Sequence, residues 1–119
     1  MLFRSFPGTY NFSYYRGDTH EFIISPKNSN GSAFELDNYV GNGVFTIATA
    51  RGTSGTKYTA QATVNSTNDT VSCKILPAVG RQLVAGTYVY DVQINSSSTN
   101  ILTLLTGEIT VTDDITGAV

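Results

Sequence analysis

The chain has one cysteine, one histidine, one methionine and no tryptophan among its 119 residues. With Cys73 alone, an internal disulfide and any cysteine-rich metal site are excluded. His20 stands equally alone, with no second histidine to share a zinc ion. Charge is scarce: 13% of residues are Asp, Glu, Lys or Arg, against about 25% in an average domain. The net charge of −2 offers no basic field to nucleic acid or anionic lipid. No apolar run approaches the ~18 residues of a membrane helix, so neither nucleic-acid binding nor membrane insertion is expected. The opening Met1-Leu2-Phe3-Arg4-Ser5-Phe6-Pro7 reads as too short and too broken for a signal peptide.

Catalytic patterns are missing as well. There is no Gly-x-Ser-x-Gly elbow and no phosphate loop. The nearest Gly/Ser cluster, Gly52-Thr53-Ser54-Gly55, falls in a loop between strand patterns. Asp113 and Asp114 are adjacent, and neighbours on a strand point to opposite faces. These absences predict a protein with no catalytic residues, no metal and no cofactor. Cys73 alternates with Val71 and Ile75 and is expected in the core as a small hydrophobe. His20 alternates with Phe22 and Ile24 and reads as a packed or rim histidine.

What the chain does have is short alternating apolar segments. The clearest is Gly86-Thr87-Tyr88-Val89-Tyr90-Asp91-Val92-Gln93-Ile94, with Tyr88, Tyr90, Val92 and Ile94 on one face and Thr87, Asp91 and Gln93 on the other. Similar runs are carried by Tyr10, Phe12 and Tyr14; by His20, Phe22 and Ile24; by Tyr58, Ala60, Ala62 and Val64; and by Val71, Cys73 and Ile75. Phe45 and Ile47 alternate with Val44, Thr46 and Ala48, so that strand is expected to be central and covered on both faces. Ile101, Thr103 and Leu105 are expected to share the face that continues through Gly107 to Ile109 and Val111. Residues 33–39 form either a short edge strand or an irregular cover, and Leu83 is expected to plug the core. The polarity is supplied by Ser, Thr, Asn, Gln and Gly, a composition suited to strands and turns rather than helices.

About eight short strands with turn signals every ~8–12 residues are the signature of a sandwich or barrel. Leu83, then Gly86 ahead of Tyr88 and Tyr90, resembles the entry to the F strand of an immunoglobulin-like sandwich. There a tyrosine stands two residues before a position that is a disulfide cysteine in antibodies. Here that position is Tyr90. The expected fold is therefore all-β: a single immunoglobulin-like antiparallel β-sandwich of seven to eight strands without a disulfide. It would span residues 10–115, with a flexible or docking N-terminal arm at 1–9 and a tail at 116–119.

Two stretches together resemble a class of small tailed-bacteriophage proteins. One is Tyr14-Tyr15-Arg16-Gly17-Asp18-Thr19-His20-Glu21-Phe22, followed by Asn30-Gly31 and Phe34-Glu35-Leu36-Asp37. The other joins residues 86–94 to Leu102-Thr103-Leu104-Leu105-Thr106-Gly107-Glu108-Ile109-Thr110-Val111-Thr112-Asp113-Asp114-Ile115-Thr116. The resemblance implies a non-enzymatic virion component, assembled in the host bacterial cytoplasm and present in symmetric multiple copies. Its partners would be other virion proteins of the tail, neck or baseplate, or the major capsid protein. For an assembly module, Leu2, Phe3 and Phe6 are the candidate partner contacts. For a capsid decoration protein that also touches host glycans, Tyr15, Tyr39 and Tyr58 are the candidate exposed aromatics. Arg16-Gly17-Asp18 matches an integrin-binding tripeptide, but Gly-Asp at a strand corner is ordinary turn chemistry.

Overall fold

A computed structural model describes residues 8–28, 30–52, 55–97 and 100–113. Eight strands form in chain order: β1 (Gly8–Thr9), β2 (Phe12–Tyr15), β3 (His20–Ile24), β4 (Gly43–Ala48), β5 (Lys57–Asn65), β6 (Thr70–Ile75), β7 (Gly86–Ser97) and β8 (Asn100–Thr112). Among the described residues, helix is confined to a 3-10 turn at Asp37–Tyr39 and one α turn, α1 (Pro77–Gly80). The all-β expectation holds, and Cys73 is a free, buried thiol.

The strands follow one path, β1-β8-β7-β4-β5-β6-β3, with β2 also beside β8. β5 folds that path into two layers. Its first half pairs with β4, from Ala60 opposite Phe45 to Lys57 opposite Ala48. Its second half pairs with β6, from Gln61 opposite Lys74 to Asn65 opposite Thr70. The two layers then meet through side chains: Phe22 of β3 packs edge-on against Phe45 of β4 and Tyr90 of β7.

Pairing is mixed where an antiparallel sandwich was expected. β1 and β2 both run parallel to β8, with Gly8 opposite Leu105 and Phe12 opposite Ile109. A parallel neighbour needs a long crossover, and here almost the whole chain lies between the two partners. Gly107 lets the first strands approach: a Cβ at this position would overlap the Tyr10 carbonyl oxygen. Pairing also begins at Gly8, inside the segment expected to be an arm.

The core is where alternation placed it. Phe45, Ile47, Val71, Ile75, Val92, Ile94 and Ile109 are fully buried, and Leu83 closes one end. Leu36, just before the 3-10 turn, is fully buried too, and its backbone N–H donates to Asp69 Oδ1. Residues 33–39 are thus an irregular cover. Strand β4 is central, between β5 and β7, but its outer face is not fully covered, since Val44 is 40% exposed.

The expected face of β8 is inverted in its first half. Leu102 lies opposite Ile94 and Leu104 is buried, whereas Ile101 is exposed and Thr103 lies opposite Gln93. The register shifts between Val92 and Gln93, which lie opposite Leu105 and Thr103. Leu104 is the extra residue of a β-bulge, and one inserted residue flips every side chain before it.

Candidate functional site

The side chains at the open side of the sandwich are aromatic. Phe12 of β2 stacks on His20 of β3 with ring centroids 4.4 Å apart and planes at 13°. Tyr10 stacks on Phe12 at 5.3 Å and meets Phe22 edge-on at 5.4 Å. Tyr90 donates its hydroxyl hydrogen to the Tyr10 carbonyl, tying this edge to the middle of the sheet. Burial lowers the His20 pKa, and its Nε2 is buried with no hydrogen-bond partner. The packed-histidine expectation fits this placement.

Backbone pairing does not close this side: β3 pairs with β6, β2 pairs with β8, and β2 and β3 do not pair with each other. An apolar groove is left along it. One lobe, about 310 Å³, lies among Tyr10, Phe22, Ile23, Ile24 and Leu105. A second, about 160 Å³, shares Ile24 and Leu105 and continues past Gly8, Leu104 and Pro26. The bulge contributes directly, because it leaves Leu104 buried while the next residue, Leu105, lines both lobes. Ile23, 62% exposed, stands at the rim.

A different recess, about 240 Å³, lies on the outer face of the larger layer, lined by Thr46, Ala48, Arg51, Lys57, Val89 and Asp91 among others. Burial raises the Asp91 carboxyl pKa, and the positive charges of Arg51 and Lys57 oppose that shift. Lys57 Nζ donates to the Gly52 carbonyl at 2.7 Å, which fixes one cation at the rim. Such a recess presents a carboxylate acceptor and cationic donors over an apolar floor of Ala48 and Val89.

The tripeptide at 16–18 is a turn. Gly17 has a φ of 88°, and the Asp18 N–H donates to the Tyr15 carbonyl at 3.0 Å. Arg16 is held rather than displayed: its Nη2 donates to the Arg81 carbonyl at 2.8 Å, and Nη1 lies 3.8 Å from Asp113. Cys73 is fully buried, and burial pushes its thiol up to about 12. Among the described residues no group of three His, Cys, Asp or Glu side chains is placed to hold a metal ion, and no helix is long and apolar enough to cross a membrane.

The candidate aromatics do not form one platform. Tyr15 is 60% exposed. Tyr39 is buried beside Phe34, its hydroxyl accepting from Asn100 Nδ2, because the 3-10 turn folds it under the cover segment. Tyr58 is half-buried, its ring edge-on to Tyr88 across β4. Leu2, Phe3 and Phe6 lie outside the described residues. Sequence reasoning missed Tyr10, Ile23 and Leu105 as surface features. The signal was the unbroken Phe22-Ile23-Ile24, which an alternating strand with one wet face does not need. It also missed the Asp91 recess, which three strands and a loop assemble.

No family model matches this chain, and no curated protein matches it. Among solved structures, a point mutant of the SrpA adhesin from Streptococcus sanguinis is similar in fold, with a TM-score of 0.50 and 12% sequence identity. The match covers 95% of this chain and 58% of that one. At that identity the likeness is one of fold alone.

Proposed function

We propose that this chain is a non-enzymatic, immunoglobulin-like assembly module of a tailed-bacteriophage virion, at the tail, neck or baseplate. The observation that carries the reading is that the two phage-like stretches, far apart in sequence, fold against each other. Residues 14–22 supply the end of β2, the turn and the first part of β3; residues 86–94 and 102–112 supply β7 and β8. They join through the β2–β8 pairing, and Arg16 continues the join beyond the strands to the Arg81 carbonyl and Asp113. Matched stretches that are distant in sequence but pack together support a shared module.

The immunoglobulin-like part of the reading has its own support. Tyr88 donates its hydroxyl hydrogen back to the Val84 carbonyl at 2.9 Å, four residues upstream, as in the tyrosine corner of such domains. Phe22, Phe45 and Tyr90 meet in the core between the two layers, with centroids 5.5 to 6.2 Å apart, and an immunoglobulin-like domain without its disulfide needs such a filling. Three aromatic rings fill that space without a covalent bond. Partners are then other virion proteins, and the protein reaches its working place inside a particle.

Mass spectrometry of purified particles, with copy number from labelled peptides, tests the reading. A fixed, small, symmetry-matched copy number in tails supports it; absence from particles overturns it. A second reading, capsid decoration with host-glycan contact, is favoured by the Asp91 recess, whose mix of acceptor, donors and apolar floor suits a sugar ring. Copy number on the scale of the capsid lattice, with glycan binding lost in Asp91→Ala, would select it.

A further inference from the structure

The groove between β3 and the β1–β8 edge is apolar, open and placed where the described chain begins. Gly8 itself lines its second lobe. The seven residues ahead of Gly8 include Leu2, Phe3 and Phe6, a short apolar segment beside a short apolar recess. β3 pairs with β6 on one side, and no described strand pairs with its other edge. Natural sheets usually blunt such an edge with charge, proline or a covering segment. The one carboxylate of β3, Glu21, pairs with Lys74 of β6, whereas Phe22, Ile23 and Ile24 carry neither charge nor proline, and all three line the groove.

We propose that the groove receives residues 2–6 of a second copy of this chain, laid as an added strand on the β3 edge with Leu2, Phe3 and Phe6 filling the recess. This mode takes its affinity from backbone pairing and its specificity from the side chains that enter the pockets. The described chain enters the domain at the groove and continues along it. β1 runs parallel to β8 with Gly8 opposite Leu105 and Thr9 opposite Thr106, so the described chain runs from the second lobe towards Tyr10 and the larger lobe. Extended, seven residues reach at most ~25 Å, enough to leave one sandwich and lie along the next. Each copy thus carries both the segment and the groove, so exchange between copies is either reciprocal, closing a dimer, or successive, closing a ring or running on as a filament.

This inference deepens the assembly reading and can fail separately from it. Copies that associate in solution but never enter particles overturn the virion reading alone. Particles that take up a chain which shows no self-association overturn this one alone. The test is sedimentation velocity of the full chain over a concentration series, beside a segment variant (Phe3→Glu with Phe6→Glu) and a groove variant (Ile23→Glu). Ile23 is exposed, so its variant should melt within a few degrees of the parent. The parent is expected to associate with rising concentration. Each variant should weaken association by at least about tenfold, as loss of an interface anchor does. Mixing the two variants should restore association, because one supplies the intact segment and the other the intact groove. A monomeric parent at every concentration, association untouched by the segment variant, or a mixture that stays monomeric would each overturn the proposal.

Discussion

The two sides of this sandwich are closed by different means. At β5 a single strand carries backbone hydrogen bonds out of one layer and into the other, changing partner between Ala60 and Gln61. At the opposite side, β2 and β3 face each other with rings alone: Phe12 on His20, and Tyr10 and Phe12 against Phe22. On the β5 side the two layers are joined by backbone hydrogen bonds of one continuous strand. The aromatic side leaves a strand edge and an apolar groove, features that a partner can use and that a monomer ordinarily hides. Rigidity and recognition are thus separated across the width of one small domain.

The largest effect should come from the residue that joins both sides. Phe45 is fully buried on β4, opposite Ala60 of β5, and its ring meets Phe22 and Tyr90 on the way to the aromatic side. Phe45→Ala should cost about 3–5 kcal/mol in denaturant unfolding. Phe12→Ala, at a half-buried position on the open side, should cost clearly less. Equal losses at the two positions would erase the distinction between a continuous core and a side-chain seam.

Next in size is Gly107→Ala, which acts on the open side alone. The added methyl would overlap the carbonyl of Tyr10, the same oxygen that accepts the Tyr90 hydroxyl hydrogen. Overpacking of this kind costs about 1–3 kcal/mol. Hydrogen exchange gives the sharper readout: amides in the β2–β8 ladder should exchange faster, while those between β5 and β6 keep their protection. Uniform acceleration across both would mean that the two sides open as one unit.

Much of the strand pattern was legible because a half-buried strand announces itself with period-two alternation, as residues 86–94 do. Leu83 was equally legible, as the largest apolar residue of the crossover and the first after Arg81 and Gln82. The face of β8 before its bulge was not, since one extra residue at Leu104 reverses the phase and nothing local marks it. Parallel pairing of β1 and β2 with β8 was hidden for a related reason: it depends on where the two ends of the chain meet, and alternation is silent on direction. The Asp91 recess is harder still. Its lining comes from β4, the loop after it, β5 and β7, so each residue alone reads as an ordinary outward-facing side chain.

The smallest effect, and the one that isolates the open side most cleanly, is acid sensitivity at His20. Burial lowers its pKa below the ordinary 6.5, and its buried Nε2 has no partner to accept a proton's charge. Its ring contacts are Phe12, Phe22 and Tyr14, and the Tyr14 phenol stays neutral throughout the acid range because burial and nearby Asp18 raise its pKa. Above pH 6.5 the imidazole is neutral in both folded and unfolded chains, so it contributes no pH dependence. As the pH falls below 6.5 the unfolded chain takes up its proton first, and stability declines until the lowered folded value is passed. Asp91 works in the opposite sense, since its raised pKa favours the protonated folded state as acid increases. His20→Phe keeps the stack on Phe12 and removes the titration. Its melting temperature, followed from pH 7 downward, should therefore hold while the parent's falls. Parallel curves for the two proteins would show that the stacked histidine takes up its proton without loosening the aromatic side.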